Sequence, residues 1–203
     1  MRFGRKLYSV YESYWILYKG LRTTKYISKA KKAGELSSEF FERIMLAVTE
    51  VNGCVACSYA HTKMALEAGM SNEEIQKILE GEFDNVPEEE IPAVLFAQHY
   101  ADTRGNPSKE SWERIVETYG LQKAEGILGA IRMIMIGNAY GIAWSSFSGR
   151  FKGKADKRSS LLYEISMVLA TILFIPIVLV HVLLSALFRV PIISLKQSEA
   201  HSA

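Results

Sequence analysis

Apolar and polar positions recur every three to four residues along most of the chain before Arg150, whereas β-branched runs are short and alternate poorly. The pattern predicts an all-α fold. Phe41, Ile44, Met45 and Val48 form the apolar face of a helix opening at Ser37 or Ser38, where a hydroxyl can cap free N–H groups. Asn52-Gly53 ends it. The next helix runs from about Cys54 to Ala68 and stops at Gly69, and Ser71-x-x-Glu74 reads as a capping box opening another. Further helices are expected from about Pro87 to Thr103, from Lys109 to Tyr119 and from Gln122 to about Phe147. Their short connections suit a compact bundle.

The two ends of the chain are patterned differently. Tyr8, Tyr11, Tyr14, Trp15 and Tyr18 make an aromatic stripe at helical spacing, suited to packing on the domain or to lying at a membrane surface. Ile165 to Phe188 is a stretch of 24 residues without a formal charge. As a helix it measures about 36 Å, longer than the roughly 30 Å hydrocarbon core of a bilayer. A helix buried in an oligomer core is the competing reading, because Pro176 and His181 both disturb an ideal span.

Arg150, Lys152, Lys154, Lys157 and Arg158 precede this stretch, with only Arg189 and Lys196 beyond it, so a span would leave the preceding domain cytoplasmic. The basic N-terminus leads into no continuous apolar region, and no cleaved signal peptide is expected. The expected organisation is an aromatic helical segment at 1–36, a helical domain at 37–150, a basic linker at 151–164, a transmembrane helix at 165–188 and a tail at 189–203.

Composition narrows the function. Twenty-four Lys and Arg against 22 Asp and Glu give a net charge of +2, and no basic stripe with interleaved aromatics points to nucleic acid. Two cysteines are too few for a disulfide scaffold. They sit at Cys54 and Cys57, with His61 one turn on, so two sulfurs and an imidazole share one helix face. Unpaired N–H groups in the first turn stabilise a thiolate there, and the imidazole can accept a thiol proton. Three uses fit: redox cycling of the dithiol, three of four zinc ligands, or plain packing. Zinc lacks an obvious fourth ligand, since His99 stands alone and no second Cys/His pair follows.

The run Glu42-Arg43-Ile44-Met45-Leu46-Ala47-Val48, followed by Asn52-Gly53-Cys54-Val55-Ala56-Cys57-Ser58-Tyr59-Ala60-His61-Thr62, resembles the signature of the alkylhydroperoxidase D / carboxymuconolactone decarboxylase superfamily. The resemblance extends more loosely from Ser37 to Phe147, through Ala68-Gly69-Met70-Ser71 and Gly137-Asn138. It implies a helical bundle of that type, assembly into trimers or hexamers, and hydroperoxide reduction by Glu42, Cys54, Cys57 and His61 acting together. The decarboxylase branch lacks the cysteine pair. Alkylhydroperoxidase D carries a further His just before its second Cys, where this chain has Ala56. Glu50 is a second carboxylate near the pair, but the family spacing selects Glu42.

The expected activity is a thiol-dependent peroxidase, an oxidoreductase acting on peroxide, with no cofactor and no metal. Cys57 is expected to attack the peroxide because His61 lies one turn beyond it, although Cys54 is nearer the helix terminus. Its partners would be a peroxide, an external dithiol or disulfide reductant, further copies of the chain and a membrane. A thiol-disulfide oxidoreductase without peroxidase activity, or a membrane-anchored zinc or scaffold module, is the alternative.

Overall fold

The computed structural model describes residues 6–193, and among them every regular element is helical. The basic Met1–Arg5, Lys196 and the tail beyond residue 193 lie outside the described residues. The helices are α1 Val10–Lys32, α2 Ser38–Asn52, α3 Val55–Ala68, α4 Asn72–Glu80, α5 Ile91–Asp102, α6 Lys109–Arg150 and α7 Leu161–Leu187. A 3-10 turn, Glu88–Glu90, leads into α5.

Helix ends follow local chemistry. Ser37 caps α2 by accepting the Phe40 N–H at 3.0 Å, and Gly53 closes it in the left-handed region at φ 68°, where a side chain would be strained. Ser71 likewise caps α4 by accepting the Glu74 N–H. The expected capping box is only half made, because the Glu74 carboxylate turns to Arg43 at 2.6 Å instead. A charge-assisted pair outcompetes a bond to one backbone N–H. The complete box lies at the start of α1, where Ser9 and Glu12 cap each other reciprocally. The two helices expected between Lys109 and Phe147 meet at Gly120, whose φ 74° and ψ 158° are not helical and kink α6 there.

The core forms where α2, α5 and α6 meet. Ile44, Leu46, Ala47 and Val48 of α2 and Ile127, Leu128 and Ile131 of α6 are wholly buried. Each large side chain of this kind contributes about 1.5–3 kcal/mol by leaving water. Helix α1 lies lengthwise on α6 through small residues: a Cβ on Gly126 would stand 2.5 Å from that of Ala30, and one on Gly129 2.9 Å from the Thr23 carbonyl. The segment before residue 37 therefore shares the core of the domain.

Helix α7 lies along α1 and α6. The Tyr14 hydroxyl meets His181 Nδ1 at 2.9 Å, the Tyr18 hydroxyl meets Ser185 Oγ at 2.7 Å, and Arg22 donates to the Val190 and Pro191 carbonyls. Partner numbers rise together, so α1 and α7 run in the same direction. The aromatic stripe is divided: Tyr8, in the extended lead-in, and Tyr18 are buried, Tyr14 packs on Phe174, and Tyr11 is exposed. At the α6–α7 corner Arg150 and Ser159 both bond the buried Glu164 carboxylate. Among the described residues two helices are long and apolar enough to cross a membrane, Lys109–Arg150 and Leu161–Leu187. The most apolar window of the first is 72% buried in the bundle, that of the second only 17%.

Candidate functional site

The loop between α2 and α3 is a single turn, and it fixes the chemistry. Left-handed Gly53 swings the chain so that Cys54 becomes the N-cap of α3, with Cys57 in the first turn behind it. Cys54 Sγ accepts the Cys57 N–H at 3.3 Å, so this sulfur occupies the place of a capping oxygen. Cys54 and Cys57 are joined as a disulfide with Cα atoms 5.3 Å apart, an ordinary separation for such a bridge. Cys54 is fully buried, whereas Cys57 is 8% exposed.

His61 follows one turn after Cys57 and reaches back to α2, where its Nδ1 lies 2.8 Å from Oε2 of Glu42. Glu42 is 6% exposed and borders a cleft of about 260 Å³ with Phe41 and Met64. A buried carboxylate against one ring nitrogen fixes the orientation of the imidazole and favours a proton on that nitrogen. No hydrogen bond joins the ring to either sulfur in this oxidised state. Glu50 points elsewhere: it accepts from Gln98 of α5 at 3.0 Å, and burial raises its pKa against the opposing effect of that bond. His99 Nε2 accepts the Ser108 N–H at 3.4 Å, where α6 begins.

Helix α6 supplies the other wall. A Cβ built on Gly141 would stand 3.3 Å from Cys57 Sγ and 3.4 Å from Cys54 Sγ, so the backbone approaches both sulfurs where only a hydrogen now stands. One turn earlier, Asn138 is fully buried; its Oδ1 accepts from Thr49 at 3.3 Å, while its Nδ2 has no partner among the described residues. Behind Cys54, the Tyr8 hydroxyl donates to Asn52 Oδ1 at 2.6 Å, and Asn52 Nδ2 donates to Met135 Sδ at 3.2 Å. Sequence reasoning singled out the Gly137-Asn138 step but not Gly141 or Thr49. Small residues one turn apart in an otherwise Ile- and Met-rich helix are the signal that could have found Gly141.

The outer face of α3 is uncovered, with Val55, Tyr59 and Leu66 all exposed. An apolar face of this kind fits contact with another molecule better than contact with water.

Residues 20–83 match the family model described as the carboxymuconolactone decarboxylase family. The match runs from the middle of α1 past the end of α4 and contains Glu42, Cys54, Cys57 and His61. No curated protein and no solved structure matches the chain.

Proposed function

From the premise of a carboxymuconolactone decarboxylase-family segment that carries a cysteine pair, we propose that the chain is a thiol-dependent peroxidase cycling through Cys54 and Cys57. The observation that carries this reading is the bridged pair at the start of α3, with the Glu42–His61 couple one turn away. The Cys57 thiolate attacks the terminal peroxide oxygen; the O–O bond breaks, the alcohol leaves with a proton supplied through His61, and Cys57 becomes a sulfenic acid. The Cys54 thiol then attacks that sulfur, forming the disulfide and releasing water. An external dithiol returns both thiols and is itself oxidised to a disulfide. Cys57 is assigned the attacking role because it retains some exposure and precedes His61 by one turn; Cys54, wholly buried, resolves.

The test is peroxide consumption with a dithiol donor, combined with thiol counting. We expect turnover by the wild-type chain, loss of two titratable thiols per chain without a covalent dimer, and no turnover by Cys57→Ser. A chain that consumes no peroxide yet exchanges disulfides with the donor would be an oxidoreductase of the second kind. Thiols that stay free under peroxide would refute both.

We further propose that α7 places the protein at a membrane as a single-pass anchor, with the domain cytoplasmic and assembled with further copies of itself. Support comes from the exposed apolar face of α7, including Leu169, Ile172, Leu173 and Leu183, and from the basic residues between α6 and α7. A full span requires α7 to give up the Tyr14–His181 and Tyr18–Ser185 bonds, each worth about 0.5–1.5 kcal/mol. The presence of those bonds favours a second reading, in which α7 stays on α1 and its outer face packs in an oligomer. Carbonate extraction separates the two: an anchored chain remains with the membrane, and an oligomer-core helix releases a soluble assembly.

A further inference from the structure

A cavity of about 400 Å³ opens between α1, the turn after α5 and α6, and is lined by none of Glu42, Cys54, Cys57 and His61. Tyr11, Trp15 and Lys19, spaced four apart on α1, form one wall; Tyr100, Arg132 and Met135 form the floor and the opposite side. Tyr11 is exposed at the mouth, and Tyr100 and Arg132 are buried at the base.

The charges in this cavity do not balance. Arg132 is 3% exposed; its Nε donates to the Tyr100 hydroxyl and its Nη1 to the Ile192 carbonyl, both at 2.8 Å. No carboxylate among the described residues pairs with it. Lys19 donates to the Gly105 carbonyl at 2.9 Å, again a neutral acceptor. Glu12 is the carboxylate in the wall, and it is committed to Arg104 at 2.7 Å and to Ser9. Two cations thus face one partly dehydrated space with only neutral oxygens as partners among the described residues, an arrangement that is costly until an anion enters.

We propose that this cavity binds a small amphiphilic carboxylate, its charged end between Lys19 and Arg132 and its apolar body against Trp15, Ile16 and Met135. The volume lies within the range of small-molecule sites, and apolar walls with a few convergent polar groups are their usual make-up. The titratable and charged groups facing Lys19 are Tyr11 and Glu12 on its own helix, Tyr100 on α5, Arg104 in the turn, and Arg132 on α6. Burial, followed by the Arg132 charge, lowers the Lys19 pKa to about 8. Binding of an anion is therefore strongest below that pH and fades above it as Lys19 loses its proton.

Calorimetric titration of the full-length chain in zwitterionic nanodiscs tests this with naphthoate, the neutral isostere naphthalenemethanol, and inorganic phosphate. Naphthoate should bind roughly tenfold more tightly than either of the others. Its affinity should fall between about pH 7 and 9.5, and Lys19→Gln should weaken it about tenfold and flatten that pH dependence. Equal binding of the alcohol removes the anion from the proposal, and equal binding of phosphate removes the apolar body. A wild-type affinity that does not change with pH, or a Lys19→Gln variant indistinguishable from wild type, overturns the site. The two ligand comparisons and the wild-type pH profile decide the matter independently of how the variant folds.

Discussion

Gly141→Ala tests the wall behind the dithiol through a quantity that isolates it. The added methyl would lie 3.3 and 3.4 Å from the two sulfurs, a few tenths of an ångström closer than an ordinary contact. Two sulfurs that are no longer bonded must separate to non-bonded distance, so the reduced pair needs more of this space than the bridge does. Overpacking a tight site costs about 1–3 kcal/mol, and here most of that cost falls on the dithiol form. Converted at about 30 mV per 1.4 kcal/mol for a two-electron couple, the reduction potential should become roughly 20–65 mV more negative. The helix-propensity gain of Ala over Gly acts on both redox states and cancels from the potential. Equilibration against a dithiol/disulfide buffer, read by mass after thiol alkylation, gives the value. An unchanged or less negative potential in a variant with wild-type circular dichroism would refute the argument that α6 confines the sulfurs.

The remaining predictions follow from other contacts. His61→Ala should lower peroxide turnover by about a hundredfold and slow alkylation of reduced Cys57 at neutral pH, with Glu42→Gln acting in the same direction but less, in stopped-flow assays. Lys19 is lowered to about 8 in the folded chain, so between that pH and the ordinary lysine value near 10.4 the unfolded chain binds more protons. Unfolding free energy from urea titrations should therefore rise across that window, and Lys19→Met should remove the rise. Gly126→Ala places its methyl 2.5 Å from the Ala30 Cβ and should destabilise the chain by about 1–3 kcal/mol, seen as a lower thermal midpoint.

What could be read from the sequence was what acts within about one helical turn. Ser37, Ser71, Gly53 and Gly69 end or begin helices through their own backbone and side-chain chemistry, and the spacing of Cys54, Cys57 and His61 is a helix-face statement that needs no tertiary knowledge. Glu42 was accessible only through the family pattern, because its partner lies 19 positions away on another helix. Glu74 was placed with Ser71 by local rules, and Arg43, remote in sequence, takes it. Gly141, the unpartnered amide of Asn138 and the Lys19–Arg132 cavity depend on how α1, α3, α5 and α6 cross, and periodicity carries no crossing angles.

The bonds from Tyr14 and Tyr18 to α7 join two helices that lie far apart in the order of synthesis. Each bonded pair spans 167 positions of the chain. At about 5–20 residues per second, that leaves the aromatic side of α1 waiting roughly 8–33 s for its partner. During synthesis, Tyr14, Leu17 and Tyr18 form an uncovered sticky surface on a growing chain. Synthesis thus leaves this side of α1 uncovered until α7 emerges, and chaperones or a lipid surface have those seconds in which to reach it.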